Sequence, residues 1–221
     1  MNRAKLIQAV VLRMDEITPD AGLSVAVDGA DGNPLYELVG GLLDDGALEL
    51  FSTAQYWRLP QTAFAVSAIG FETVGARKVL RLKLGDDFLR VAEISCPDFK
   101  RPVTEVFPEQ TPEGKRQHNP FLMGKEAKPV GVLSHGTWNG AQCREIDCYS
   151  LPSGSTTTAS DVVASYIAKP AEITGLVTIE DIVPEILIPA LEWIVAAKAF
   201  GARGDVNHAA VCQQNANNLL I

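Results

Sequence analysis

Between Arg3 and Ile17 the apolar residues Leu6, Ile7, Val10, Val11, Met14 and Ile17 recur at three- and four-residue steps, the stripe of an amphipathic helix. The stretch after it, TPDAGLSVAVDGADGNP, is dense in turn-forming residues and predicts a loop with a brief extended piece at Leu23–Val27. A second stripe then runs through Leu35, Leu38, Val39, Leu42, Leu43, Ala47, Leu50, Phe51, Ala54 and Trp57. With Asn33 placed to cap it and Pro34 suited to a first turn, it predicts one continuous helix of about 25 residues. Gly40, Gly41 and Gly46 lie on this stripe. Each weakens the helix by up to about 1 kcal/mol relative to Ala, and they are read as places where another helix comes close.

The period changes from 3.6 to 2 in KVLRLKL, where Leu80, Leu82 and Leu84 alternate with Arg81 and Lys83, the pattern of a half-buried strand. Further extended runs are predicted at Phe88–Ser95, Pro129–Ser134, Cys143–Leu151 and Val162–Lys169, enough for a small, mostly antiparallel sheet or sandwich. A stretch at about 107–129, rich in Pro, Gly and charge, is long for a compact domain and is expected to project. Its apolar residues Phe121, Leu122 and Met123 are candidate contacts to a neighbouring copy or another protein.

After Pro170 the helical period returns. Pro189 predicts a short helical turn before it, extended geometry at Ile188, and the main helix beginning at the proline. Gly201–Gly204 then makes a turn, and Asp205 caps a final helix. The expected architecture is α+β: a helical bundle from the N- and C-terminal helices with a central, mostly antiparallel β block. It is read as a single domain over 1–221, with a helical part at 1–60 and 178–221 and a β-rich part at 76–170. The two helical ends are expected to pack together, since neither covers its own stripe.

Composition narrows the function. At 47% hydrophobic and 21% charged over 221 residues the chain can bury a substantial core. A net charge of −8 argues against sequence-independent nucleic-acid binding. Cys96, Cys143, Cys148 and Cys212 form no CxxC pair, and strand geometry sets Cys143 and Cys148 on opposite faces, so no metal site is expected. The apolar run of 188–200 is interrupted by Glu192 and Lys198 and belongs in a core, not a bilayer. The first residues do not have the pattern of a secretory signal, which makes the cytoplasm the default place of synthesis.

Candidate chemistry is sparse. No phosphate-cradling loop, nucleophile elbow, HExxH or EF-hand pattern occurs. Ser134 and His135 are adjacent, but neighbours on a strand face opposite ways, and His135 is read as a strand-end loop residue. Asp86–Asp87 and Asp44–Asp45 pair carboxylates in a turn and on the polar side of a helix. The Arg203-Gly204-Asp205 tripeptide falls where a turn and a cap are needed. Tyr56, Trp57, Trp138 and Trp193 are scattered and read as core. No catalytic residue, cofactor or metal ligand is predicted.

Three stretches carry a resemblance: NPLYELVGGLLDDGALELFSTAQYWRLP, LRLKLGDDFLRVAEISCPDFKRPVTEV, and ASYIAKPAEIT leading into IPALEWIVAAKAFGARGDVNHAAVCQQNANNLL. In order and spacing they resemble the head-to-tail adaptors of tailed bacteriophages, also called connector, head-completion or tail-tubular-A-type proteins. In these a strand ending in Tyr-x-x-x-Pro precedes a proline-started, Ala-rich helix, a Gly/Asp turn and a last amphipathic helix. The resemblance implies a non-enzymatic virion protein, made in the host cytoplasm, in a ring of about twelve copies between the portal and the downstream tail or nozzle protein. DNA would pass through the channel without specific binding. It also implies that the C-terminal segment reaches the portal, which singles out Asn215, Asn217, Asn218, Leu219, Leu220 and Ile221. Another neck or tail completion protein, and a small cytoplasmic enzyme or ligand-binding domain, are the alternatives. The excursion and the asparagine-rich end depart from the family pattern.

Overall fold

The computed structural model describes residues 1–17, 34–74, 77–152, 154–175 and 177–220. The expectations for Leu23–Val27, the Asn33 cap and Ile221 lie outside the described residues. The fold is α+β, and it divides into two compact units, Met1–Pro60 with Lys169–Ile221 and Gln61–Ala168.

The helical unit is built from both ends of the chain. Helix α1 spans Arg3–Ile17, as the stripe predicts, and buries Leu6, Ile7, Val10, Val11 and Met14. The expected long second helix is broken into α2 (Pro34–Gly41) and α3 (Leu43–Thr53), with a separate 3₁₀ turn at Tyr56–Arg58. Gly40 and Gly41 supply the weak point, and Leu42 bridges it with a tightened turn in which its N–H donates to the Val39 carbonyl at 3.1 Å. Ala54 then turns extended and ends α3. Trp57, expected in the core, has left the stripe with that break and is 62% exposed.

A short helix, α5 (Ile179–Ile182), and a 3₁₀ turn at Glu185–Leu187 lead into α6 (Ile188–Ala202). Ile188 is helical (φ −58°, ψ −44°), not extended as expected. Pro189 sits in the first helical turn, where its missing N–H has no partner to lose, and burial of Leu187 and Ile188 holds the geometry. The hairpin turn is shorter than Gly201–Gly204, because α6 runs on through Gly201 and Ala202, while the cap is as read: α7 (Val206–Leu220) begins after Asp205, whose Oδ1 accepts from the His208 N–H at 3.2 Å.

Helix α6 is surrounded by α1, α2, α3 and α7, which is why it is apolar or small on nearly every side. Its two interior charges are answered locally. Glu192 accepts from Arg13 at 3.0 Å, and Lys198 pairs with Glu49 at 2.7 Å. Gly46 of α3 faces α6 so closely that a Cβ there would collide with Val195. The reading of the glycines as close-contact residues is borne out at Gly46 and at Gly40, where a Cβ would meet Arg3 and Ile7 of α1, whereas none of the described residues lies near Gly41.

The β unit contains two sheets. One has order β1-β8-β4 (Thr62–Ala63, Val163–Ala168, Phe88–Ser95). The other has order β2-β3-β7-β6-β5 (Ile69–Val74, Arg77–Lys83, Ala141–Cys148, Gly131–Trp138, Val106–Pro108). All pairings are antiparallel except β5 with β6. The five predicted strands are present, and β1, β2 and β5 are additional. Ile69, Leu80, Leu82, Ile146 and Cys148 from the larger sheet join Phe88, Ile94 and Ala164 from the smaller in one hydrophobic cluster. Among the described residues no helix is long and apolar enough to cross a membrane.

Candidate functional site

The residues singled out for chemistry are not brought together. Ser134 points to one face of β6 and donates to Asp147 Oδ2 at 3.1 Å. His135 is exposed on the other face, within the strand and opposite Arg144, not in a strand-end loop. Asp44 accepts from the Ile173 N–H at 2.7 Å, and Asp87 accepts from the Tyr166 hydroxyl at 2.9 Å. Both are structural ties. Asp205 caps α7 and meets His208 Nδ1 at 2.6 Å, and these hydrogen bonds hold its carboxyl below the usual carboxylate range. Trp193 is half-buried beneath the Arg13 guanidinium, 5.2 Å from its ring centre. Cys96, Cys148 and Cys212 are buried, with Cys143 half-buried, and no group of His, Cys, Asp or Glu able to hold a metal occurs among the described residues.

The densest group of charges is one the sequence reading passed over. On the face of the larger sheet opposite the hydrophobic cluster, Arg81 of β3 binds Glu72 of β2 and both Glu145 and Asp147 of β7. The Asp147 contact is 3.1 Å. Glu145 is 1% exposed, and its Oε2 has no hydrogen-bond partner among the described residues. Gly136 of β6 leaves the space its carboxylate fills, because a Cβ there would overlap Glu145 Oε1. Burial, and then the neighbouring Glu145 charge, push the Asp147 carboxyl above the ordinary carboxylate range against the opposing pull of Arg81. The groove described below is not lined by these residues. The network locks three strands in register.

Two surfaces remain as candidates for contact. The first is a groove of about 480 Å³ in the expected excursion, lined by residues that include Phe107, Arg116, Leu122, Met123, Lys125 and Val130. The excursion is a built structure here. Thr111 caps α4 (Pro112–Gln117) by accepting from the Gly114 N–H at 3.1 Å. Buried Gln117 accepts from the Gly124 N–H at 2.7 Å, and Asn119 Oδ1 accepts from the Phe121 N–H at 2.9 Å. These bonds hold the tip with Phe121 89% and Leu122 61% exposed. Met123 is half-buried and its Sδ accepts from Arg77 at 2.7 Å.

The second surface is α7. Of its 15 residues only Cys212, Ala216 and Leu220 are buried. Val206, Val211 and Leu219 are exposed beside exposed Asn217 and Asn218, with Asn215 half-buried. The helix contains no Asp, Glu, Lys or Arg. Of the predicted portal-docking residues, then, Leu220 is spent on its own unit, and the Leu219 carbonyl accepts from Arg58 at 2.8 Å. No protein-family model matches the chain, and no curated protein matches it in sequence.

Proposed function

We propose that this protein is a non-enzymatic ring adaptor of a bacteriophage neck, joining the portal to the tail and forming part of the DNA exit channel. The observation that carries the reading is α7, a full-length helix that buries one narrow edge and offers a wide, uncharged, partly apolar face. Such a face suits side-by-side packing of helices from successive copies, because it carries no charge to desolvate. A heterologous contact of this kind, repeated, closes into a ring. The chain's −8 charge fits a channel that lets DNA slide, since acidic walls repel phosphate where basic ones would hold it. The chain-end helices, the inserted β block and the proline-started α6 follow the order of elements in the adaptor family.

The test is to mix the purified protein with the portal of the same virion and image the product by negative stain. Closed rings of about twelve subunits seated on the portal are expected. A monomer that ignores the portal at high concentration overturns the proposal.

A further inference from the structure

We infer that the groove beside α4 receives the acidic turn around Ile186 of a second copy of this chain, a head-to-tail contact. It rests on the ring-adaptor reading only for its closure.

Charge complementarity names the occupant. Residues 99–130 carry six Lys and Arg against four Asp and Glu, while the rest of the chain carries 13 against 23. The excursion is thus a basic feature on an otherwise acidic molecule. Its groove is lined by apolar Phe107, Met123 and Val130, with the three cations Arg116, Lys125 and Lys128 against the two carboxylates Glu105 and Glu113. Lys128 is engaged with Glu105 at 3.4 Å, and Arg116 and Lys125 have no ion-pair partner among the described residues. A matching occupant needs an apolar tip flanked by carboxylates.

Residues 170–192 have that character, with five Asp and Glu and no Lys or Arg. Within them Ile186 is 67% exposed, and Asp181 and Glu185 are exposed with it. The turn is rigidly based, because Ile179, Ile182, Val183 and Leu187 are buried and the Val183 N–H donates to the Ile179 carbonyl at 2.8 Å. Ile186 therefore stands on a fixed base with carboxylates beside it. Seated in the groove, it would meet the apolar lining while Asp181 and Glu185 face Arg116 and Lys125, whose guanidinium and ammonium donate to carboxylates. Tip and groove are different surfaces, so the contact propagates from copy to copy.

The experiment is a disulfide trap. Leu122→Cys and Ile186→Cys, both at exposed positions, are purified separately, mixed, and oxidised gently beside the native protein. The mixture should yield several-fold more cross-linked dimer on a non-reducing gel than either variant alone. Adding Lys125→Glu to the first variant should reduce that yield, and adding Glu185→Lys to the second should restore it. A mixture that cross-links no more than the single variants overturns the contact, as does a yield indifferent to the charge reversals. Portal binding is scored separately: rings without cross-links refute this contact and leave the adaptor reading standing, whereas cross-links without rings support the contact and refute the adaptor.

Discussion

Replacing Arg81 by Met keeps a long side chain between the strands and removes the one cation held by three carboxylates. The Arg81 side chain is 18% exposed, Asp147 9% and Glu145 1%, so two carboxylates are left in the sheet with the Ser134 hydroxyl as their remaining side-chain donor among the described residues. Breaking a buried ion pair from one side costs about 3–5 kcal/mol, because the charge left behind is uncompensated. Glu72 is 52% exposed, and Glu72→Gln should cost only about 0–1 kcal/mol, water replacing the lost partner. The loss in Arg81→Met should also depend on pH with a definite sign. Asp147 is already raised, so the folded protein holds its proton more tightly than the unfolded chain does. A group raised on folding contributes stability below its unfolded value and loses it as pH rises through the folded value. Deleting Arg81 removes the pull that limits the rise, so the deficit should be smaller at a mildly acid pH than at neutral pH and grow as pH rises. Urea unfolding at both pH values, with amide exchange in β3, β6 and β7 to localise the loss, measures this. A deficit under about 1 kcal/mol at neutral pH, or one equal at both pH values, would refute the account of the network.

Leu191→Ala, at the centre of the helical unit and 0% exposed, should lower stability by about 2–5 kcal/mol in thermal or urea unfolding. Gly46→Val should cost at least about 1–3 kcal/mol, since its side chain would enter the space of Val195. Gly41→Ala, with none of the described residues near it, should be neutral or gain up to about 1 kcal/mol, and the pair of glycines together checks that close packing, not helix propensity, decides. Joint replacement of exposed Asn217 and Asn218 by Ala should leave the melting temperature unchanged and weaken co-sedimentation with portal. Leu220→Ala should instead lower stability first, because that side chain is buried in its own unit.

Much of the fold can be read from periodicity, and the misses share a cause. Helix α1, the α6–α7 turn and five strands follow from apolar spacing within short windows. The break between α2 and α3 does not, because Leu42 and Leu43 continue the stripe across it and only the Gly40-Gly41 pair marks the weak joint. The β6–β7 hairpin was expected to be shorter, with strands ending at Ser134 and beginning at Cys143. Its signal lies in Asn139-Gly140, whose φ values of 51° and 82° are those of a mirror-image turn. That two-residue loop sets Trp138 opposite Ala141 and carries the pairing through to Gly131 and Cys148. In CREIDC the alternation does set Ile146 and Cys148 on one face and Glu145 and Asp147 on the other. What it leaves out is that Arg81, 66 residues away from Asp147, arrives opposite it in register. A polar face next to a strand of unknown identity looks like a wet one.

The two C-terminal helices differ in the same way. The stretch IPALEWIVAAKAFGA is the most apolar long run in the chain and draws notice as a surface to be shared with neighbours. In the structure α6 has no face to share, because α1, α2, α3 and α7 enclose it and even Glu192 and Lys198 find partners inside the unit. Helix α7 is less apolar and holds back more. Its exposed Val206, Val211 and Leu219 stand among Asn and Gln side chains that can exchange water for a partner's hydrogen bonds, without an ion to strip. Apolarity on every side is the mark of a helix that its own unit surrounds. A helix with scattered aliphatics, amides and no charge is the one able to leave water for another copy, and that difference separates the core of this unit from its proposed interface.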